Sequence, residues 1–71
     1  MTRRFEFVDG TSAKFWEITL KGAETVVRWG RLGTNGQTQK KTFPDAAAAT
    51  KQAEKQISEK LAKGYSETAV A

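Results

Sequence analysis

Lys14-Phe15-Trp16-Glu17-Ile18-Thr19-Leu20-Lys21 is the stretch that decides the architecture. Trp16, Ile18 and Leu20 stand at every second position, and Phe15, Glu17 and Thr19 fill the gaps. In a strand that spacing makes one face wholly apolar and leaves the other mixed. Working outward, residues 4–8 repeat the pattern in short form, with Phe5 and Phe7 on one face and Glu6 between them. Asp9-Gly10 marks the intervening turn. Downstream, Gly22 precedes a third strand at residues 25–31, rich in the β-formers Thr25, Val26, Val27 and Trp29. Asn35-Gly36 is then a hairpin signal, because both residues tolerate the positive φ of a type I′ turn. Residues 37–43 return as a fourth, mainly polar strand with Phe43 as its one core anchor. Such polarity suits a sheet edge, where lysine discourages unwanted pairing.

Pro44 ends the strand pattern, and Asp45 is a natural N-cap for a helix over residues 46–63. Ala46, Ala49, Ala53, Ile57 and Leu61 fall on one apolar stripe. Lys51, Lys55, Glu59 and Lys63 stand four residues apart on another face and read as a solvated surface with i,i+4 pairing. Gly64 supplies the stop, after which Tyr65 can fold back on the last turn. Residues 66–71 carry no pattern and read as fraying, so a single domain is drawn over residues 3–67 with a tail at 68–71. The expected fold is α+β: a four-stranded antiparallel meander with one C-terminal helix packed on a face. Helix and sheet need each other, since neither has a second apolar surface to bury.

Composition narrows the chemistry. The 71 residues contain no cysteine and no histidine. Disulfides, His or Cys metal sites, a histidine general base and every Ser-His or Cys-His pair are therefore excluded. No apolar run approaches the ~20 residues that span a bilayer. Met1-Thr2-Arg3-Arg4-Phe5 lacks the apolar core of a signal peptide, so a cytoplasmic, membrane-free protein is expected. The carboxylates are scattered, and Glu6 and Glu17 are more simply read as cross-strand partners of Arg or Lys than as a catalytic pair. Gly30-Arg31-Leu32-Gly33 lacks the Lys-Ser/Thr and following helix of a phosphate-binding loop. No enzyme, cofactor or metal is expected.

Twelve Lys and Arg face eight Asp and Glu, a net charge of +4, which favours phosphate backbones as partners. Arg28, Arg31, Lys40 and Lys41 lie on two strands joined by the hairpin, with Trp29 among them. Arginine grips phosphate through a planar fork of donors, and an indole beside cations offers a base or ribose a stacking surface. Gly30 would keep the backbone clear for close approach. Lys40 and Lys41 alternate faces, so at most one of them shares a surface with Trp29. Trp16 continues the Ile18 and Leu20 face and belongs to the core. For Trp29, strand parity leaves core and surface both open.

Arg28-Trp29-Gly30-Arg31-Leu32-Gly33-Thr34, followed by Gly36-Gln37, resembles the signature of the WGR domain. Lys14-Phe15-Trp16-Glu17-Ile18 is similar to the family's aromatic second strand, and Phe43, the alanine-rich helix and Lys63-Gly64-Tyr65 match its later landmarks in order. WGR domains occur in poly(ADP-ribose) polymerases, in bacterial regulators of molybdate metabolism and as short free-standing bacterial proteins, and the chain looks like the last kind. In the DNA-dependent polymerases the motif's tryptophan packs on a nucleotide at a DNA break, and its arginine binds DNA or joins neighbouring domains. The resemblance carries these roles to Trp29 and Arg31. Some DNA-binding members place Asn before the Lys-Phe pair, where Ala13 stands here, so no contact is carried over at that position. The resulting expectation is a monomeric module that binds nucleic acid, DNA rather than RNA, through Trp29, Arg31, Arg28, Lys14, Lys40 and Lys41. The alternative is docking of an acidic protein on the same surface.

Overall fold

A computed structural model describes residues 1–68. Strands β1 (Thr2–Asp9), β2 (Ser12–Lys21), β3 (Glu24–Arg31) and β4 (Gln37–Thr42) precede helix α1 (Ala46–Ala62), and a short strand β5 (Ser66–Thr68) follows it. The order across the sheet is β4-β3-β2-β1-β5, with every pairing antiparallel. The α+β meander with one helix on a face is thus the observed architecture, with five strands rather than four.

The extra strand is built from residues read as fraying. Asp45 caps α1 by accepting from the Ala48 N–H at 2.8 Å. At the other end, the Gly64 and Tyr65 N–H groups donate to the Leu61 and Lys60 carbonyls. Gly64 takes φ +100°, which closes the helix and reverses the chain. Tyr65 then packs on Phe7 with ring centroids 5.4 Å apart. The next three residues pair with Arg4, Phe5 and Glu6. Arg3 clamps Glu67 through two hydrogen bonds of 2.8 and 2.6 Å. Ser66-Glu67-Thr68 has no apolar alternation to betray a strand, so its pairing is imposed by the helix ending beside β1. Residues 69–71 of the expected tail lie outside the described residues.

Phe5, Trp16 and Ile18 from the sheet meet Ala53 and Ile57 from α1 in one core, with Leu20, Val27, Trp29 and Tyr65 packed around it. Ala49, Ala53 and Ile57 are buried, and the small alanines let the helix lie close to β2 and β3. Two members of the expected helix stripe stay outside the core. Ala46 is exposed and Leu61 is 49% exposed. The helix crosses the sheet for its middle turns only. At its end Lys60 leans over Trp16 and Tyr65 instead, its Nζ 5.6 and 5.5 Å from the ring centroids. Phe43 is also not the core anchor that was expected. It follows the last residue of β4, bonds through its N–H to the Ala23 carbonyl and is only half-buried beside the first turns of α1. Among the described residues no helix is long and apolar enough to cross a membrane.

The connection between β3 and β4 is not a two-residue Asn-Gly turn. Among the described residues only glycines have positive φ, so Asn35 does not supply the first half of a type I′ turn. The chain turns at Arg31-Leu32-Gly33-Thr34 instead, where the Thr34 N–H and Oγ1 both donate to the Arg31 carbonyl at 3.1 and 2.7 Å. It then folds back through Gly36 onto the sheet.

Candidate nucleic-acid interface

The strand registers sort the candidate residues onto two faces. Trp29 is the cross-strand partner of Trp16, and Arg31 that of Lys14. Trp16 belongs to the core under α1, so the alternation places Trp29, Arg31 and Lys14 on the helix-bearing face. Lys41, opposite Thr25, stands four residues along the same face as Gln37, the partner of Trp29. Arg28 and Lys40 point the other way, onto the face that carries no helix.

That second face is an ion-paired lid. Arg28 reaches both Glu17 carboxylate oxygens, at 3.1 Å from Nε and 3.1 Å from Nη2. Arg4 bonds the same carboxylate at 2.7 Å and Glu6 at 3.0 Å. Burial alone would raise the Glu17 pKa, but the hydrogen bonds from Arg28 and Arg4 outweigh it and hold the carboxyl below the usual range. The guanidinium carbons of Arg4 and Arg28 lie 4.6 and 5.1 Å from the Phe15 ring centroid. Phe15 is 1% exposed although no helix covers its face. Lys40 is paired with Glu24 at 3.3 Å. Glu17 is the cross-strand ion-pair partner that was expected, of Arg4 and Arg28, whereas Glu6 pairs with Arg4 along its own strand.

The loop after Arg31 completes this lid and explains Gly30. Gly30 lies opposite Phe15 in the register, and a methyl group on it would stand 2.7 Å from the Gly36 Cα. One on Gly36 would press against the Trp29 carbonyl and stand 2.8 Å from the edge of Phe15. The space above Gly30 is therefore filled by the protein's own loop, not held open for a ligand as expected. Trp29-Gly30-Arg31 is a structural hinge of three roles: an indole toward the helix side, a gap for the loop, and a cation at the strand end.

On the helix side the arrangement is different. Trp29 is half-buried: it packs on the core and also lines a cleft of about 220 Å³ with Trp16, Val27, Gln39, Gln56 and Lys60. Arg31 and Lys14 are exposed, and among the described residues neither forms an ion pair. Lys14 rests its Nζ 5.9 Å from the Phe7 centroid. Lys60 was not among the expected site residues, since nothing in a lone lysine of a charged helix singles it out. Burial chiefly, and then repulsion from Lys63 and Lys14 against a weaker pull from Glu59, lowers its pKa. Glu59 offsets this crowding only in part, and Lys60 forms no ion pair among the described residues. Among the described residues no three acidic groups gather closely enough to hold a metal ion.

An open antiparallel sheet with a single covering helix, and a Trp-Gly-Arg strand end carrying an indole beside unpaired cations, defines a small binding module. The family model of the WGR domain matches residues 1–71. The chain belongs to the WGR domain family, whose members are modules of the nucleic-acid-binding type. It is 48% identical over 67 residues to protein YehF of Escherichia coli K12, covering 94% of this chain and 24% of that one. It is 39% identical over 67 residues to the uncharacterized protein YfeS of the same strain, covering 94% of this chain and 28% of that one. The chain thus spans about a quarter of the length of the curated relatives it matches. A crystal structure of a Bacteroides fragilis protein superposes with a TM-score of 0.94 at 51% identity, over 97% of this chain and 20% of that one.

Proposed function

We propose that the chain is a non-enzymatic module that binds DNA through the helix-bearing face at the Trp29 end. Trp29 supplies the stacking surface, and Arg31, Lys14 and Lys60 contact phosphates. The observation that carries the reading is the segregation of charge. The cations of the opposite face are spent on Glu6, Glu17 and Glu24, whereas those around Trp29 have no carboxylate partner among the described residues. The same pairing supports the absence of catalysis, because three carboxylates that could serve as acid or base are already engaged.

The test is a titration of labelled nicked, duplex and single-stranded DNA with four proteins: wild type, Trp29→Ala, Arg31→Ala and Arg28→Gln. Loss of one stacked base is worth about 1–3 kcal/mol, so Trp29→Ala should weaken binding about 5-fold to 160-fold. With ~3 cations at the surface, log affinity should fall against log salt with a slope of roughly −3 on duplex. Arg28→Gln should leave affinity unchanged while lowering Tm. Equal binding by all four proteins, or none at low salt, rejects the proposal. Capture of a protein that survives nuclease treatment would assign the surface to an acidic partner instead.

A further inference from the structure

The Trp29 cleft does not end at Trp29. Val27, Gln39 and Gln56 line it and also line the pocket beside it, and Gln52 is common to that pocket and to a hollow at Phe43. The three therefore join into one groove between α1 and the edge strand β4. Its origin lies in the sequence. The buried alanines dock α1 over β2 and β3, whereas β4 offers Gln37, Gln39 and Lys41 on this face and gives the helix nothing apolar to cover. All six residues of β4 are exposed.

Resting on the reading of Trp29 above, we infer that this groove is a track for single-stranded nucleic acid running from Trp29 to Phe43. Three features carry it. An aromatic ring stands at each end: Trp29 at the first, and at the second a half-buried Phe43 with the Lys41 ammonium 5.3 Å from its centroid. None of the lining residues is acidic, while Lys41, Lys51, Lys55 and Lys60 all contribute. The intervening wall is glutamine, which offers both donors and acceptors to base edges. Rings can take bases only where the bases are unpaired and free to leave the stack, which favours a single strand over a duplex. From Gln37, the partner of Trp29, to Phe43 the chain advances six residues, or about 20 Å at 3.3 Å each. Six nucleotides would cover it at the stacked duplex spacing of about 3.4 Å per nucleotide, and a strand extended by unstacking needs fewer.

The experiment compares fluorescein-labelled dT3, dT6 and dT12 and a nicked duplex by anisotropy. The proteins are wild type, Trp29→Ala, the double variant Lys51→Gln/Lys55→Gln, Phe43→Leu and Phe43→Tyr, each checked by thermal melt. Affinity should climb from dT3 to dT6 and then level. Removing the two lysines should weaken dT12 binding about 25-fold at 0.1 M salt and flatten its salt slope by about 1.4, without touching dT3 or the nicked duplex. Phe43→Leu should weaken dT6 and dT12, and Phe43→Tyr should restore them. Nicked-duplex binding that needs Trp29, with dT12 no tighter than dT3 or indifferent to the lysines, overturns the groove and leaves the Trp29 surface standing. Competition by poly-glutamate as strong as by dT12 also overturns it. Absence of binding to every probe overturns the Trp29 reading itself.

Discussion

Replacing Gly30 by alanine separates two explanations of the motif's central residue. If Gly30 exists to admit a ligand, Gly30→Ala should fold normally and bind poorly. The structure gives the opposite expectation. The added methyl would lie 2.7 Å from the Gly36 Cα, a backbone atom that no rotamer change can move. Two relaxations are open. The sheet can absorb the strain, which for overpacking costs about 1–3 kcal/mol. Alternatively the loop can lift and uncover Phe15, whose burial is worth about 1.5–3 kcal/mol. The molecule takes the cheaper route, so the loss should be about 1–3 kcal/mol. At ~0.05–0.15 kcal/mol per residue a chain of 71 residues has only about 4–10 kcal/mol in total. In a domain of this size each kcal/mol shifts Tm by about 4–8 °C, so Tm should fall by roughly 4–24 °C. Circular dichroism melts on wild type and variant, without any ligand, measure it. A Tm within 3 °C of wild type together with a tenfold loss of DNA affinity would refute the loop-lid account.

Other expectations follow from the charged groups. Glu17 has a folded pKa below its unfolded value, so its contribution is present above about pH 4.3 and is lost as pH falls through the depressed value. Glu17→Gln should therefore cost about 1–2 kcal/mol at pH 7 and flatten the acid limb of a stability–pH curve measured by urea denaturation. An unchanged limb would mean that Glu17 is not the titrating group. Lys60→Met keeps the stem over Trp16 and Tyr65 but removes a charge that burial and neighbouring lysines disfavour. Its Tm should hold or rise, while DNA affinity falls and the salt slope shrinks by about 0.9. A lower Tm with unchanged binding would make Lys60 a packing residue only.

Much of the fold was legible because periodicity reports burial directly. The alternation of Trp16, Ile18 and Leu20, the helical spacing of Ala49, Ala53 and Ile57, the Asp45 cap and the Gly64 stop each express a local rule, and each is where the sequence places it. The limits of this reading are equally physical. Ser66-Glu67-Thr68 becomes a strand only because a helix end delivers it to the edge of β1. Phe43 and Leu61 follow apolar patterns but sit where the helix and sheet no longer overlap. Asn35-Gly36 obeys a strong turn preference in isolation, and the packing of Gly36 on Gly30 and Phe15 overrides it.

The sequence by itself determined that a tryptophan stands among cations at a strand end, and that histidine and cysteine chemistry is impossible. It could not determine which cations matter. Composition counts charges, but only the strand register and the third dimension decide which of them meet a carboxylate. Arg28 and Lys40 are neutralised on one face because Glu17 and Glu24 lie next to them. Arg31, Lys14 and Lys60 share the other face with Trp29 and meet no carboxylate among the described residues, and that sorting arises from contacts between residues far apart in the chain.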